Sequence, residues 1–261
     1  MKKIIAMLMA AALLLVGLTG CAPQGKTLAE VKEAGVLVAA TSPDFPPFEN
    51  LENGEVVGIE VDIMKLISEK LGVELKIEQM DFESVLPGVQ TGKYDIGMSG
   101  ISVDAERAKN TLFTDPYCMA AQAIVVKEGS TVKSKADLAG KKIAVQTATT
   151  AETFCMGEGY TVQAYNNNND AQLALTTNKV EAWVIDDLTA KEMVDLYNAE
   201  NDDKLVILDE AMTSEPYAFA FCFGSEDLVA EINTILGELV DDGTVKSIFD
   251  KYNAPYTSPK A

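Results

Sequence analysis

The pattern of apolar and polar positions predicts strands and helices in alternation along the first part of the chain. Residues 36–40 form an apolar run between Gly35 and a proline-rich segment, which is typical of a buried strand that enters a rigid loop. Apolar residues then recur at helical spacing over 61–71, and Gly72 is placed to end that helix. The remaining elements of this unit are a strand over 73–77, a helix over 83–91 and a strand over 95–98.

The same alternation returns further along the chain. Its strands are predicted over 143–145, 161–164 and 182–185, and its helices over 171–177, over 188–197 and from Ala151 onward. Two long apolar runs, 121–126 and 217–223, flank this second unit, and two more helices begin near Glu226 and Thr244. Because alternating strands and helices indicate parallel sheets covered by helices, each unit is expected to form one α/β lobe.

The positions of the two long apolar runs predict how the lobes are connected. If both runs cross between the lobes, the second unit is an insertion in the first, and the closing helices return to the first lobe. This gives a first lobe of residues 27–117 and 222–261, a second lobe of residues 118–221, and a two-strand hinge. A cleft between two such lobes is the expected ligand site.

The first twenty residues have the features of an export signal. Lys2 and Lys3 precede an apolar run over 4–18, which is shorter than the roughly 20 residues needed to cross a bilayer. The run ends in Leu-Thr-Gly-Cys at 18–21, which resembles a bacterial lipobox and implies cleavage before Cys21 and lipidation of that cysteine. We expect a signal peptide over 1–20, a lipidated tether over 21–26 and anchoring to the outer face of the cytoplasmic membrane. A short core helix or an uncleaved anchor is the alternative.

Charge and residue usage narrow the chemistry. The 261-residue chain has a formal net charge of −19, so a phosphate backbone would repel it and no nucleic-acid partner is expected. Histidine is absent, which removes the commonest general base and the commonest zinc ligand, and neither a metal nor another cofactor is predicted. Cys118, Cys155 and Cys222 form no paired motif, so they are expected to be buried free thiols, with one disulfide as the alternative.

Several short segments, in this order and spacing, carry a resemblance to a known family. They are Ala-Thr-Ser-Pro-Asp-Phe-Pro-Pro-Phe-Glu at 40–49, Gly-Ile-Glu-Val-Asp-Ile at 58–63, Met-Asp-Phe at 80–82, Asp-Ile-Gly-Met-Ser-Gly-Ile-Ser at 95–102, Glu-Arg at 106–107, Phe-Thr-Asp-Pro-Tyr at 113–117 and Asp-Leu-Ala-Gly-Lys-Lys-Ile-Ala-Val at 137–145. The chain resembles the amino-acid-binding members of family 3 of the bacterial extracellular solute-binding proteins, such as the glutamine-, histidine- and lysine/arginine/ornithine-binding proteins. The resemblance implies a two-lobed periplasmic-binding-protein-like fold of type II, an amino acid as the small-molecule ligand, a monomer, and delivery to the membrane subunits of an ABC permease.

A zwitterionic amino acid needs a cation for its carboxylate and an anion for its ammonium group. Arg107 offers a planar fork of donors that suits a carboxylate. From the sequence alone, a surface ion pair of Arg107 with Asp104 or Glu106 is equally good, and the resemblance favours ligand binding. Asp186 follows a predicted parallel strand, where open α/β sites lie, and it matches the family's ammonium-binding carboxylate. Asp187 in that role, or helix capping by both residues, is the alternative.

Four groups near these charges are implied by the same resemblance. Gly100 would contribute a carbonyl group, and Ser102 a hydroxyl and an amide, although an ordinary strand-to-helix turn explains both residues. Thr149 and Thr150 lie where a strand leads into a helix, so their amides and hydroxyls would face the ligand carboxylate at the positive helix end. Helix capping alone is an equally good explanation of the two threonines.

The walls that select the ligand side chain are implied in the same way. Phe45 and Phe82 match the aromatic positions that bracket this side chain, and Gln146 matches a position that reaches it. Core packing of the rings and exposure of Gln146 are the alternatives. Several relatives have an acidic residue where this chain has Ser42, and a buried ligand cation without a counter-charge is costly. We therefore expect a neutral polar amino acid.

Two features are interpreted as local structure rather than as binding groups. Glu60 and Asp62 precede a predicted helix, so they are expected to cap it and to complement its dipole. The four asparagines at 166–169 are expected to form a turn with a helix N-cap.

The function that these observations favour is capture of an amino acid by two lobes that close on a hinge, as the substrate-binding component of an ABC importer. Catalysis is not required. An enzyme similar to cyclohexadienyl or arogenate dehydratase, with a cleft carboxylate as general acid, is the first alternative. A ligand-sensing lipoprotein that docks to a receptor without transport is the second.

Overall fold

The computed structural model describes residues 24–259, which form two α/β lobes joined by a pair of strands. The predicted signal peptide and Cys21 lie outside the described residues. The first lobe contains, in chain order, α1 (Leu28–Ala34), β1 (Val36–Thr41), β2 (Asp44–Phe45), β3 (Glu49–Glu52), β4 (Glu55–Val57), α2 (Ile59–Leu71), β5 (Glu74–Gln79), α3 (Phe82–Gln90), β6 (Ile96–Gly97), a 3₁₀ helix (Arg107–Lys109) and β7 (Leu112–Phe113).

The chain then crosses to the second lobe and returns. The crossing and the second lobe consist of β8 (Cys118–Ala120), β9 (Gln122–Lys127), a 3₁₀ helix (Lys135–Leu138), β10 (Lys142–Gln146), α4 (Thr150–Gly157), β11 (Thr161–Tyr165), α5 (Asn168–Thr176), β12 (Ala182–Asp186), α6 (Asp187–Glu200), β13 (Leu205–Ile207) and β14 (Glu215–Tyr217). The return brings β15 (Ala220–Phe221), α7 (Glu226–Asp241) and α8 (Thr244–Lys251) to the first lobe. Salt bridges from α2 fix the two closing helices there, Lys70 to Glu238 and Asp62 to Lys251.

Each lobe is built on a five-stranded sheet. The strand orders are β5-β1-β6-β15-β7 in the first lobe and β11-β10-β12-β9-β13 in the second. In both sheets the first three strands run parallel and the other pairings are antiparallel. This confirms the predicted α/β fold with two lobes of type II topology.

The lobes are joined by a two-strand hinge, as predicted, but its strands are shorter than the two apolar runs. In the hinge, β8 pairs with β14 in antiparallel fashion, with Cys118 opposite Tyr217. The first apolar run mostly forms β9 of the second sheet, and the second run is split between β14 and β15. Ala220 and Phe221 already pair with strands of the first sheet, whereas the sequence put this return at residue 222. Hinge and sheet are both buried, so hydrophobic periodicity cannot mark where one passes into the other.

The N-terminal end of the described chain is packed against the first lobe. The Gly25 amide donates to the Phe223 carbonyl at 2.8 Å, and Lys26 forms a 2.9 Å salt bridge with the buried carboxylate of Asp95. The sequence assigned residues 21–26 to a tether because they are short, polar and contain proline and glycine. Gly25 and Lys26 instead belong to the packed structure, since a backbone bond and an ion pair hold them.

Local signals located most long elements correctly. Helix α2 ends at Leu71, with Gly72 in the left-handed conformation at φ 76°, and the Asn167 side chain caps α5 by accepting the Asp170 amide. The pattern missed α1, which buries only Val31 and so shows no apolar repeat. It also missed the three-stranded sheet of β2, β3 and β4, because strands of two to four residues are too short to show a periodicity.

The three cysteines within residues 24–259 are buried and free, which agrees with the expected buried thiols. Large aromatic side chains without exposed surface pack between the hinge and the first lobe. They are Phe48, Tyr117, Tyr217 and Phe219. No helix in the described part of the chain is both long and apolar enough to cross a bilayer.

Candidate functional site

A small cavity of about 20 Å³ lies between the lobes. It is lined by Ser42, Asp44, Phe45, Phe82, Ser99, Gly100, Ser102, Arg107, Gln146, Thr149, Thr150 and Asp186. All ten binding residues predicted from the sequence are in this set. Asp44 and Ser99 are the two additions.

The lining residues gather here because parallel strands of both sheets end at the cleft. Ser42 follows β1, Gly100 follows β6 by three residues, Gln146 ends β10 and Asp186 ends β12. The carboxyl ends of parallel strands are where open α/β folds bind ligands. The two sheets therefore present their binding loops to one shared space.

Arg107 is held at the cavity by contacts on several sides. Its Nη1 donates to the Ser102 carbonyl at 2.9 Å, and its Nη2 donates across the cleft to the Ala148 carbonyl at 3.1 Å. Its Nε lies 3.5 Å from the Asp104 carboxylate, and its guanidinium carbon lies 5.7 Å from the centre of the Phe82 ring. The Arg107 side chain is 11% exposed and the Asp104 side chain is 37% exposed, so this ion pair joins a largely buried cation to an anion at the surface. Burial lowers the pKa of Arg107 and the Asp104 carboxylate raises it, but an arginine remains charged in proteins.

Asp186 is the buried anion at the second lobe's side of the cavity. The Gln122 amide donates to its Oδ1 at 3.0 Å. Burial, followed by the charge of Glu215, raises the pKa of Asp186 to about 7, while the nearby Tyr217 hydroxyl and the hydrogen bond from Gln122 act in the opposite direction. The neighbouring Asp187 accepts backbone amides near the start of α6 and is not part of the cavity lining. The geometry therefore favours Asp186 over Asp187.

The hydroxyls of the two threonines are engaged by the protein itself. Thr149 caps α4, and its hydroxyl donates to the Gln146 carbonyl at 2.7 Å. The Thr150 hydroxyl donates to Glu215 at 2.7 Å and accepts from Gln122 at 3.3 Å. The Glu152 amide donates to the Thr149 hydroxyl at 3.2 Å, so the amides of Thr150 and Ala151 are the first-turn amides of α4 suited to an anionic ligand.

Gln122 and Glu215 were not singled out from the sequence, although they surround Asp186 and Thr150. Gln122 begins β9 and Glu215 begins β14, so both come from the segments that connect the lobes. The only sequence feature that could have indicated them is a polar residue at the edge of an apolar run. Such residues are common at strand ends, so this feature does not identify a binding group. Within residues 24–259, no group of three or more acidic, cysteine or histidine side chains is arranged to hold a metal ion.

Asp44 adds a third charged group to the cavity and connects the two lobes. Its Oδ1 accepts the Ser42 hydroxyl at 2.7 Å, and its Oδ2 accepts the Asn168 amide at 2.6 Å and the Gln146 side-chain amide at 3.3 Å. Asn168 is the first residue of α5, so the carboxylate lies at a positive helix end. Burial raises the pKa of Asp44, and the bond from Asn168 lowers it. Nothing in the sequence indicated this role, because Asp44 begins the two-residue strand β2, which is too short to show an alternation of side-chain directions.

The aromatic walls and the turn after β6 are packed against one another. Phe45 and Phe82 both line the cavity. Gly100 has a φ of 54°, and a Cβ atom at this position would lie 2.4 Å from the Phe45 ring. Only glycine satisfies both conditions, so the turn and the ring define one wall together.

Glu60 does not cap its helix, contrary to the expectation from sequence. Helix α2 begins at Ile59, two residues before the predicted start at residue 61, and Gly58 is its N-cap residue. Glu60 therefore lies within the helix. The Glu60 side chain is fully buried and accepts the Gly100 amide at 3.0 Å and the Tyr117 hydroxyl. Glu60 therefore supports the cavity wall from behind.

Comparison with known proteins decides the family. Residues 37–255 match the model of the bacterial extracellular solute-binding proteins, family 3. The chain belongs to this family. As a family 3 extracellular solute-binding protein, it functions outside the cytoplasm. The resemblance predicted from the sequence segments is confirmed.

Family 3 relatives match over nearly their whole length. The arginine-binding extracellular protein ArtP of Bacillus subtilis (strain 168) is 30% identical over 258 residues, which cover 97% of this chain and 98% of ArtP. The L-cystine-binding protein TcyJ of Escherichia coli (strain K12) is 28% identical over 230 residues, which cover 86% of this chain and 85% of TcyJ. The crystal structure of the P235GK mutant of ArgBP from T. maritima is similar with a TM-score of 0.81 and 38% identity, covering 87% of this chain and 98% of that one. These relatives are binding proteins, and this family 3 chain is a binding protein rather than a dehydratase.

Proposed function

We propose that the protein captures a free amino acid in the interlobe cavity and delivers it to the membrane subunits of an ABC importer. The observation that carries the proposal is that Arg107 from the first lobe and Asp186 from the second line one cavity. Their charges match the carboxylate and the ammonium group of a zwitterion. ArtP is an arginine-binding protein, TcyJ is an L-cystine-binding protein and ArgBP from T. maritima has a structure in an arginine-bound form, which supports an amino acid as the ligand.

The remaining groups can be assigned to the same ligand. Arg107, Ser102 and the first-turn amides of α4 would bind the carboxylate, and Asp186 with the Gly100 carbonyl would bind the ammonium group. Phe45 and Phe82 would flank the side chain. Because the ligand contacts both lobes, it stabilises the closed conformation over the open one, which is how such proteins respond to a solute.

We further propose that the ligand side chain is cationic. The expectation of a neutral polar side chain rested on Ser42, which replaces an acidic residue of several relatives. Asp44 lines the same cavity and accepts the Ser42 hydroxyl, so a counter-charge is present two residues further on. Once Arg107 and Asp186 pair with the zwitterion, the carboxylate of Asp44 is left for the side chain. A neutral polar ligand remains the alternative.

A thermal-shift screen of the standard amino acids tests both proposals. A ligand present at about 100 times its Kd stabilises the folded state by about 2.7 kcal/mol, so the true ligand should stand out. L-arginine or L-lysine is expected to give the largest shift. In the Asp44→Asn variant, affinity for L-arginine should fall by about 10-fold to 100-fold, since a charge-assisted hydrogen bond contributes about 1.5–3 kcal/mol. Affinity for L-glutamine should change less.

The exposed Asp115, also in the first lobe, provides the control variant Asp115→Asn, which should bind L-arginine as the wild type does. A largest shift with a neutral polar amino acid, or equal losses for L-arginine and L-glutamine in Asp44→Asn, would contradict the cationic assignment. No shift with any amino acid would contradict the proposed function as a whole.

We also propose that residues 1–20 are a signal peptide, that Cys21 carries the lipid anchor, and that the mature protein is a monomer. The signal peptide and the lipid anchor are supported by the positive charge, by the length of the apolar run and by the position of the cysteine in the sequence. The monomer is implied by the resemblance to the family. Acyl chains contribute about 0.8 kcal/mol for each buried methylene, and acylation of both the thiol and the amine of Cys21 would supply the two signals that stable attachment needs. Cys21→Ser should therefore move the protein from the membrane fraction to the soluble fraction of cells, and retention in the membrane fraction would contradict the assignment.

Deleting the gene should lower amino-acid uptake, whereas a pure sensor would leave uptake unchanged.

A further inference from the structure

Two glutamates are buried together behind the turn that forms one wall of the cavity. Glu49 begins β3 and Glu60 lies in the first turn of α2, and neither has exposed surface. Their backbones are adjacent, since the Glu60 amide donates to the Phe48 carbonyl at 3.1 Å, and the two carboxyl groups are close enough for each to shift the pKa of the other. Neither side chain lines the cavity, so neither is accounted for by direct contact with a ligand.

The hydrogen bonds around the two carboxyl groups are unequal. Glu60 accepts on both oxygens, from the Gly100 amide at 3.0 Å and from the Tyr117 hydroxyl. Both oxygens of Glu49 are buried, and no donor in residues 24–259 reaches them with hydrogen-bond geometry. An ionised Glu49 would therefore be poorly satisfied, whereas a protonated Glu49 is itself a donor to Glu60.

The charges facing this pair are all negative or neutral. Glu49 faces Glu60, Asp44 and Ser99, and Glu60 faces Glu49, Tyr117, the Gly100 amide and Cys118. Neither glutamate forms a salt bridge with a lysine or arginine in the part of the chain that is described.

Two adjacent buried carboxyl groups without a cation cannot both remain ionised. Burial and then the charge of Glu60 raise the pKa of Glu49 well above its ordinary value, and burial raises the pKa of Glu60 while its hydrogen bonds lower it. The proton therefore belongs on Glu49.

We propose that Glu49 and Glu60 are positioning residues that share one proton, and that the single charge left on Glu60 holds the Gly100 amide and with it the turn at residues 99–102. The turn needs this support because Gly100 adopts a φ of 54° and packs against the Phe45 ring. That the turn contacts an amino acid rests on the proposed function. The acid pair itself does not.

Conservative variants separate the role of Glu49, which carries the shared proton, from the role of Glu60, which accepts the Gly100 amide. Glu49→Gln replaces a protonated acid by a neutral group that still donates to Glu60, so the fold and the turn should be retained. Glu60→Gln replaces the acceptor of the Gly100 amide by a group with donors of its own. Glu52→Gln, at an exposed position on the same strand β3, is the matched control.

The first measurement is urea unfolding of the wild type, Glu49→Gln and Glu52→Gln from about pH 5 to about pH 8. In the unfolded chain Glu49 has an ordinary pKa of about 4.3, so above that pH unfolding of the wild type releases the proton of Glu49. The wild type should lose stability relative to Glu49→Gln as the pH rises, by up to about tenfold in the unfolding equilibrium constant for each pH unit. The control should stay parallel to the wild type. Parallel curves for the wild type and Glu49→Gln would overturn the shared proton.

The second measurement is the NMR resonance and hydrogen exchange of the Gly100 amide. Both should be retained in Glu49→Gln and in Glu52→Gln, and Glu60→Gln should shift the resonance and accelerate exchange. An unchanged Gly100 amide in Glu60→Gln, or an equal change in Glu49→Gln, would overturn the positioning role. If Glu60→Gln does not fold, Glu49→Gln decides the question. Retention of the Gly100 amide resonance in Glu49→Gln, together with the expected pH trend, supports the proposal. Loss of that resonance in Glu49→Gln overturns it. All of these readouts are made without an amino acid, so they are independent of whether the proposed function is correct.

Discussion

Replacing Arg107 by alanine should weaken binding of L-arginine by about 100-fold or more, measured by calorimetry. The guanidinium is the cation that lines the cavity, and without it the ligand carboxylate would be buried with amide donors alone. Truncating one partner of a buried, hydrogen-bonded charge pair costs about 2–5 kcal/mol, and the cost is mostly a faster dissociation rate. Arg107→Lys keeps the charge but loses the planar fork, so its affinity should lie between those of the wild type and of the alanine variant.

The control for Arg107 is Lys109→Ala, because Lys109 is an exposed cation of the same 3₁₀ helix. Its affinity should stay within about threefold of the wild type, since surface ion pairs contribute about 0–1 kcal/mol. Thermal unfolding of each variant should remain cooperative. Wild-type affinity in a folded Arg107→Ala variant would show that the carboxylate is bound elsewhere.

The second large effect is expected at Asp186, and it includes a pH dependence. Burial, followed by the charge of Glu215, raises the pKa of Asp186 to about 7, and a ligand ammonium group favours the ionised carboxylate. A proton therefore competes with the ligand, and affinity should fall as the pH drops below about 7, by up to about tenfold for each pH unit. Asp186→Asn should lose about 100-fold or more at pH 8, by the same charge-pair argument, and should bind with little pH dependence.

The neighbouring residue provides the control for Asp186. Asp187→Asn alters a carboxylate that binds backbone amides outside the cavity, so affinity at about pH 8 should be retained. The Asp187 charge is the smallest of the causes that raise the pKa of Asp186, so the pH profile should keep its shape and move only slightly to lower pH. Calorimetry of the wild type and both variants between about pH 5.5 and about pH 8 makes the comparison. A flat pH profile for the wild type, or a larger loss in Asp187→Asn than in Asp186→Asn, would contradict the assignment.

The fold was largely predictable because its long elements carry clear periodicities. The helical spacing up to Leu71 with Gly72 behind it marked α2, and alternation of strands with helices indicated the two sheets. The ten candidate site residues were identified through the resemblance to the family, and the structure gives a reason for where they lie. They occupy segments that follow or end parallel strands, and the ends of such strands converge in space.

The residues that the sequence did not reveal depend on side-chain direction. Asp44 begins the two-residue strand β2, which is too short to show alternation, and its side chain reaches the cavity and the start of α5. Glu60 was predictable in part, since it lies four residues before Met64 and hence on the buried face of α2. Its acidic side chain near a helix start suggested capping instead. The partners that hold it, Gly100 and Tyr117, are distant in sequence, so no local pattern reports them.

The central claim is that Arg107 binds the carboxylate of an amino acid whose ammonium group binds Asp186. A thermodynamic cycle tests it most directly: calorimetry of L-arginine and of its decarboxylated analogue on the wild type and on Arg107→Ala. In the wild type, removing the carboxylate is expected to cost about 100-fold or more in affinity. In Arg107→Ala the same removal should cost far less, because only Ser102 and the first-turn amides of α4 still bind the carboxylate. An equal loss in both proteins would show that Arg107 and the ligand carboxylate do not interact.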